Sequence, residues 1–196
     1  MVTALALGGC RNTSEVDAET LSAQQGERVE QIMPGLVRAA GWDAVGQLSE
    51  VTSSGSPVPE EASRSTRWSA VAGRSNGDQQ EANGIAAAVQ GHAEDTGWST
   101  QQVSSANDGR VYQAVKDDMG LNLTYRTTAG RPRIRLEVTT SCLGMPEGHT
   151  MTRSEYDPMH GSNDPLYPHD DRSQFTNGRP KPFPEPSGTG SEGSSP

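Results

Sequence analysis

Apolar side chains recur every three or four residues in the first half of the chain. Val29, Met33 and Leu36 belong to this spacing, which places them on one face of a predicted amphipathic helix. Ser14, with Asp17 three residues later, resembles a capping box that opens the helix. Pro34 and Gly35 interrupt the stretch, so the helix either kinks there or is followed by a second short helix. Gly41 is expected to end it.

A second helix is predicted downstream by the same spacing. Asp78 followed by Glu81 is a capping pattern, and a stripe of small apolar residues from Ala82 to Ala93 follows before Gly97. His92 lies near its end. We expect His92 to be a boundary or exposed residue, because no nucleophile or orienting partner lies near it in the sequence.

The apolar period then changes from the helical value to two, which is typical of strands. Predicted strands cover 111–116, 121–127 and 133–140, with earlier candidates within 43–52 and 68–73. Turn residues at 107–109, 117–118 and 129–130 separate the later strands, so neighbours are expected to be antiparallel. The fold class is therefore α+β, a two-layer domain over 14–144 with a sheet of four or five strands packed against two helices.

The two Gly-Trp pairs and the last strands refine this layout. Trp42 and Trp98 are expected to close the open end of the core, since an indole covers much apolar area. Arg133 and Arg135 alternate with apolar residues, a pattern we interpret as the solvent face of an edge strand. From about Met145 the apolar periodicity disappears, and 145–196 is expected to be a disordered tail rich in Pro, Gly and Ser.

Composition limits the function classes. The chain has a formal net charge of -9, which repels phosphate backbones, so we expect no nucleic-acid partner despite the basic cluster that includes Arg126 and Arg131. No segment contains the run of apolar residues needed to cross a bilayer as a helix. Any membrane attachment is therefore expected to use a lipid or a partner.

Short catalytic and metal-binding motifs are not found in the sequence. His149, His160 and His169 lie near carboxylates, but their spacing matches no metal motif, so we expect no metal site and no cofactor. Nucleophile elbows, phosphate loops and dinucleotide fingerprints are not found either. We therefore expect no enzymatic activity.

The sharpest local signal is at the amino terminus, where an apolar run leads into Leu7-Gly8-Gly9-Cys10. This resembles the lipobox of bacterial lipoproteins, and with the α+β pattern it is similar to small cell-envelope lipoproteins of actinobacteria. The resemblance implies that 1–9 is the remnant of a truncated signal peptide, in which no Lys or Arg precedes the apolar run as a secretory signal normally has. It also implies that Cys10 is the lipidation site and that 10–13 is a lipidated leader.

The resemblance implies a lipid-anchored protein on the extracytoplasmic face of the cell membrane, with an envelope protein or small ligand as partner and no enzymatic role. The alternative is a soluble secreted or cytosolic binding module without an anchor. Cys142 distinguishes them, because a lipidated Cys10 cannot form a disulfide. Cys142 is then expected to be buried as a small hydrophobe, whereas an unlipidated Cys10 can bridge to it.

Overall fold

The computed structural model describes residues 15–53, 59–101 and 109–185. Two long helices pack on a seven-stranded antiparallel sheet, which confirms the predicted α+β class with more strands than expected. The helices are α1 (Glu15–Ala39), the one-turn α2 (Pro59–Ala62) and α3 (Gln79–Asp95). The strands are β1 (Gln47–Thr52), β2 (Ser65–Ser75), β3 (Ser99–Thr100), β4 (Arg110–Lys116), β5 (Met119–Thr128), β6 (Arg131–Thr140) and β7 (Leu143–Gly144).

The order of strands across the sheet is β1-β2-β6-β5-β4-β3, with β7 pairing to the start of β2. The β5–β6 hairpin turns at Ala129 and Gly130, which both adopt positive φ as a tight hairpin turn requires. Because β6 lies between β2 and β5, the interpretation of Arg133 and Arg135 as edge-strand residues is wrong. Their placement on the solvent face is correct, since both are exposed.

The core lies between the helices and one face of the sheet. Leu121, Leu136 and Val138 on the strands are fully buried, as are Met33 and Val89 on the helices. Trp98 is buried, and the partly buried Trp42 packs against the same core. The apolar stripes seen in the sequence are thus the surfaces that α1, α3 and the sheet bury against one another.

Helix α1 continues through Pro34, so the predicted alternative of a second short helix starting there is wrong. Gly35 is instead a packing residue. A Cβ added there would lie 2.5 Å from Nε2 of His92, so the absence of a side chain lets α3 approach α1. His92 is half-buried at this contact, and Gly41 ends the helix with a φ of 75°.

Of the two predicted helix starts, the one at Asp78 lies within the described residues. Asp78 caps α3, with its carboxylate accepting a hydrogen bond from the backbone N–H of Glu81 at 2.7 Å. The capping pattern assigned to Ser14 falls outside the described residues. None of the described helices is long and apolar enough to span a bilayer.

Residues 145–185 pack onto the domain, which corrects the predicted tail boundary at Met145. Ser154 donates its backbone N–H to Leu48, and Glu50 donates its own to Thr152, so the segment 152–154 covers the outer edge of β1. Unpaired strand edges invite association with other chains, and this segment satisfies the edge of β1 internally. Residues 186–196 of the predicted tail lie outside the described part of the chain.

Candidate functional site

Cys142 lies between β6 and β7 at one end of the sheet. It is disulfide-bonded, and the hydroxyl oxygens of Ser53 and Ser65 each lie 3.1 Å from its sulfur. The sequence contains one other cysteine, Cys10, which falls outside the described residues. Within one chain the partner of Cys142 can only be Cys10.

The state of Cys142 bears directly on the predicted lipidation of Cys10. A thioether sulfur that carries a diacylglyceryl group has no valence left for a disulfide, so the bridge and the lipid are mutually exclusive on Cys10. Cys142 is therefore not the isolated buried thiol expected for the lipidated form.

The same end of the sheet contains a buried carboxylate, Glu50 on β1, whose side chain is fully inaccessible to solvent. It accepts hydrogen bonds from the Ser22 hydroxyl, from the Thr66 hydroxyl at 3.1 Å, and from the Thr152 backbone N–H at 2.8 Å. Nε2 of His149 lies 3.2 Å from Oε2 of Glu50. One carboxylate thus joins α1, β1, β2 and the segment that follows β7.

Two further contacts extend this cluster. The indole Nε1 of Trp68 donates to the Ser22 hydroxyl at 3.1 Å, and Nδ1 of His149 lies 3.5 Å from a carboxylate oxygen of Glu19 on α1. The His149 side chain is only 8% exposed, which corrects its placement in a disordered tail.

Charge and burial oppose one another at this cluster. Burial alone would raise the pKa of Glu50, but hydrogen bonds from His149 and Ser22 and the positive charge of His149 outweigh it and hold that pKa below its ordinary value. Burial alone would lower the pKa of His149. The hydrogen bond and charge of Glu50, with a smaller effect of Glu19, raise it instead. Both shifts favour the charged forms of the pair, a protonated imidazole facing a carboxylate.

The order of hydrogen bonds distinguishes this cluster from a nucleophilic triad. In a triad the hydroxyl donates to the imidazole, which can then remove its proton. Here the Ser22 hydroxyl donates to Glu50, and the imidazole of His149 lies on the other carboxylate oxygen. This arrangement stabilises charge and orients chain segments, and the imidazole does not accept the Ser22 proton as it would in a triad.

A cleft of about 390 Å³ opens beside His149, within the size range of small-ligand sites. Its lining includes cationic, anionic and apolar side chains: Arg64, Glu147, His149, Met151, Leu166 and Pro168. One wall comes from the turn before β2, and the others come from the segment after β7. Met145 donates its backbone N–H to the carbonyl of Arg64 at 2.9 Å, which holds the two walls together.

Arg153 organises the outer part of the segment after β7. Its guanidinium is 6% exposed and pairs with Asp164 at 2.8 Å and Asp170 at 3.2 Å, while stacking 3.8 Å from the centre of the Tyr167 ring. The Tyr167 hydroxyl in turn donates to the backbone carbonyl of Glu50 at 2.5 Å. Arg153 therefore holds the segment against β1.

The remaining polar residues assigned to the tail also lie in this folded segment. Asp157 is buried and accepts the Leu48 N–H at 2.7 Å, and burial raises its pKa. His160 is close to Asp170, whereas His169 is exposed. Across 15–53, 59–101 and 109–185, no group of three or more histidine, cysteine or acidic side chains is arranged to hold a metal ion.

Sequence reasoning missed the cluster around Glu50. Glu50 is a charged residue in a strand candidate, and His149 follows the last predicted strand, so neither lies in an apolar pattern. One signal was available in the sequence. Glu50 lies two residues after the apolar Leu48, and alternate residues of a strand share a face, so Glu50 is expected on the core side of β1. A charged residue at a core position calls for a buried partner.

Comparison with known proteins adds no assignment. No protein-family model, no curated protein and no solved structure matches this chain. The function is therefore argued from the residues themselves.

Proposed function

We propose that this chain is an exported, non-enzymatic component of the cell envelope whose α+β domain binds a partner or ligand. The observation that carries the proposal is the disulfide at Cys142. Disulfides persist in oxidising compartments outside the cytoplasm, and cytosolic thiols are kept reduced. The apolar run that precedes Cys10 agrees with export, because it resembles the hydrophobic region of a secretory signal.

Two forms of the exported protein follow from the chemistry of Cys10. In the bridged form, Cys10 pairs with Cys142 and ties the leader to the end of β6; the disulfide-bonded state of Cys142 favours this form. In the lipid-anchored form, Cys10 carries acyl chains and holds the domain at the extracytoplasmic face of the membrane. The Leu7-Gly8-Gly9-Cys10 sequence supports this second proposal.

The cleft beside His149 is the proposed ligand site. It combines apolar walls with a few convergent polar groups, as small-molecule sites do. The hydrogen bond from Ser22 to Glu50 supports binding over catalysis, because the Ser22 hydroxyl donates to Glu50 and not to the imidazole of His149.

Mass spectrometry of the mature protein from an export-competent bacterial host tests these forms. A bridged chain loses two hydrogens relative to the dithiol and regains them on reduction. A lipidated chain gains a diacylglyceryl group and partitions into detergent. Cys10→Ala abolishes partitioning in the lipidated form, whereas the matched Cys142→Ser variant leaves it unchanged. Recovery of both cysteines as unmodified thiols in the cytosol would overturn export.

A further inference from the structure

One wall of the cleft beside His149 consists largely of a short segment, residues 146–150, which we call the flap. Methionines fix both of its ends, because Met145 precedes it, Met151 follows it, and both are buried. Between them the flap folds back on itself, since the backbone N–H of His149 donates to the carbonyl of Pro146 at 3.2 Å. The flap therefore has fixed ends and a middle that needs its own attachment to the domain.

His149 provides that attachment. Its Nε2 lies 3.2 Å from Oε2 of Glu50 on β1, and its Nδ1 lies 3.5 Å from Oε1 of Glu19 on α1. Within the described part of the chain, no other side chain of the flap takes part in a hydrogen bond or an ion pair. A single imidazole thus joins the middle of the flap to two elements of the domain.

Both nitrogens of this imidazole face carboxylates, so the number of protons on the ring decides how many contacts it can make. The protonated ring has two N–H donors, whereas the neutral ring has one and presents a lone pair at its other nitrogen. After loss of a proton, one nitrogen faces a carboxylate without a hydrogen, and the charge that compensates the buried Glu50 is gone. Only the protonated ring satisfies both contacts.

The other charges around the ring preserve this dependence. Arg64 and Glu147 line the same cleft with opposite charges, and the acidic groups that His149 contacts are Glu19 and Glu50. Glu50 stays ionised because its pKa is held below its ordinary value. The pKa of His149 is raised by the hydrogen bond and charge of Glu50, which outweigh burial, so the ring loses its proton on the alkaline side of its ordinary range.

We infer that His149 is a proton-dependent latch on the cleft, which holds the flap closed when the imidazole is protonated and releases it when the ring is neutral. The inference deepens the proposed function, because it assigns a regulation to the proposed ligand site and rests on that site. Glu50 keeps the hydrogen bonds from Ser22, Thr66 and the Thr152 backbone N–H after release. Opening is therefore confined to the flap, and access to the cleft increases at alkaline pH.

Digestion of the full chain with a glutamyl endopeptidase tests the inference, because Glu147 is an exposed residue of the flap. When opening is fast, cleavage of a folded protein follows the population of its open form. We expect cleavage after Glu147 to be at least about fivefold faster at about pH 8.5 than at about pH 5.5, relative to a free peptide of residues 143–152 digested in parallel. His149→Gln is expected to be cut rapidly at both pH values.

Glu19→Gln is a second variant, and its position is compatible with folding because the Glu19 side chain is 59% exposed. With one of the two carboxylates removed, the ring holds its proton less tightly, so the midpoint of the pH profile is expected to move to lower pH. His160→Gln is the matched control, since His160 is also mostly buried beside a carboxylate, 3.9 Å from Asp170, but lies outside the flap. The control is expected to keep the native profile.

A flat profile in the native chain, or a midpoint that Glu19→Gln leaves unchanged, would overturn the latch. Cleavage after Glu147 that is no faster than cleavage after Glu27 on α1 would also overturn it, because the flap would then open only with the whole domain. The measurement needs neither a ligand nor export. A cleft that binds no ligand, or recovery of cytosolic thiols, therefore refutes the proposed function alone, whereas a flat profile refutes the latch alone.

Discussion

His149 and Glu50 form a buried ion pair that joins the segment after β7 to the edge strand β1, with 3.2 Å between Nε2 and Oε2. Glu50 is fully buried and the His149 side chain is 8% exposed. Removing one member of such a pair leaves the other without compensation, a larger effect than the loss of a surface contact. The pair therefore couples the stability of the sheet edge to that of 145–185.

Replacing Glu50 with Gln tests this coupling. The substitution keeps the shape but removes the charge that His149 and the Thr152 N–H face, and we expect unfolding free energy to fall by about 3 kcal/mol. Urea unfolding followed by circular dichroism measures it. Glu19→Gln is the matched control, because Glu19 is 59% exposed and also faces His149; its effect is expected to stay below about 1 kcal/mol. Equal effects would contradict a dominant role for Glu50.

The pH dependence of stability follows from the same pair. The raised pKa of His149 contributes stability that is full below its unfolded pKa and is lost as the pH rises through the folded pKa. The lowered pKa of Glu50 contributes stability that is full above its unfolded pKa and is lost as the pH falls. Both contributions are complete between about pH 4.5 and 6.5.

Comparison with His149→Gln isolates this contribution from other titrating groups such as Asp157. The difference in urea midpoint between the native chain and the variant is expected to be largest in that window and to narrow towards alkaline pH. A difference that stays constant from pH 5 to about pH 9 would show that His149 acts through packing and not through its charge.

The helix and sheet layers could be predicted from the spacing of apolar residues, because burial of one face of each element imposes that spacing. The stripe that contains Val29 and Met33, and the alternation through Leu121 and Leu136, both report which face meets the core. The second short helix predicted at Pro34 does not form, for a physical reason. A proline in α1 removes one helix hydrogen bond, but packing against the core can offset that loss, and propensity is only a weak guide in such a context.

The candidate site was harder to predict because its residues are polar and distant in sequence. Glu50 and His149 are separated by 99 residues, and no periodic pattern relates them. The segment after β7 lacks apolar periodicity because it folds through hydrogen bonds and ion pairs, such as those of Arg153 with Asp164. Composition alone therefore resembled a tail, although Met151 and Tyr167 are buried.

Limited trypsin digestion distinguishes a folded segment from a tail. Arg153 has a 6% exposed side chain held by two aspartates, whereas Arg172 is exposed. Cleavage of folded proteins concentrates at accessible and mobile sites. We expect the native chain to be cut after Arg172 and to stay intact after Arg153, as read by mass spectrometry. Early cleavage after Arg153 would contradict packing of the segment.

Gly26 provides a test of the contact between α1 and the sheet. A Cβ added at Gly26 would lie 2.5 Å from Cζ2 of Trp68, a buried side chain that also donates to Ser22. Gly26→Ala is therefore expected to lower the unfolding free energy by about 1 to 3 kcal/mol, because the indole must shift in a packed core. In an open helical position the same change stabilises a protein by about 0.5 to 1 kcal/mol.

Gly84 in α3 has nothing within 4 Å of the added Cβ, so Gly84→Ala is the matched control with the opposite expected sign. Thermal unfolding of both variants decides the matter, and stabilisation by Gly26→Ala would contradict the close approach of Trp68 to α1.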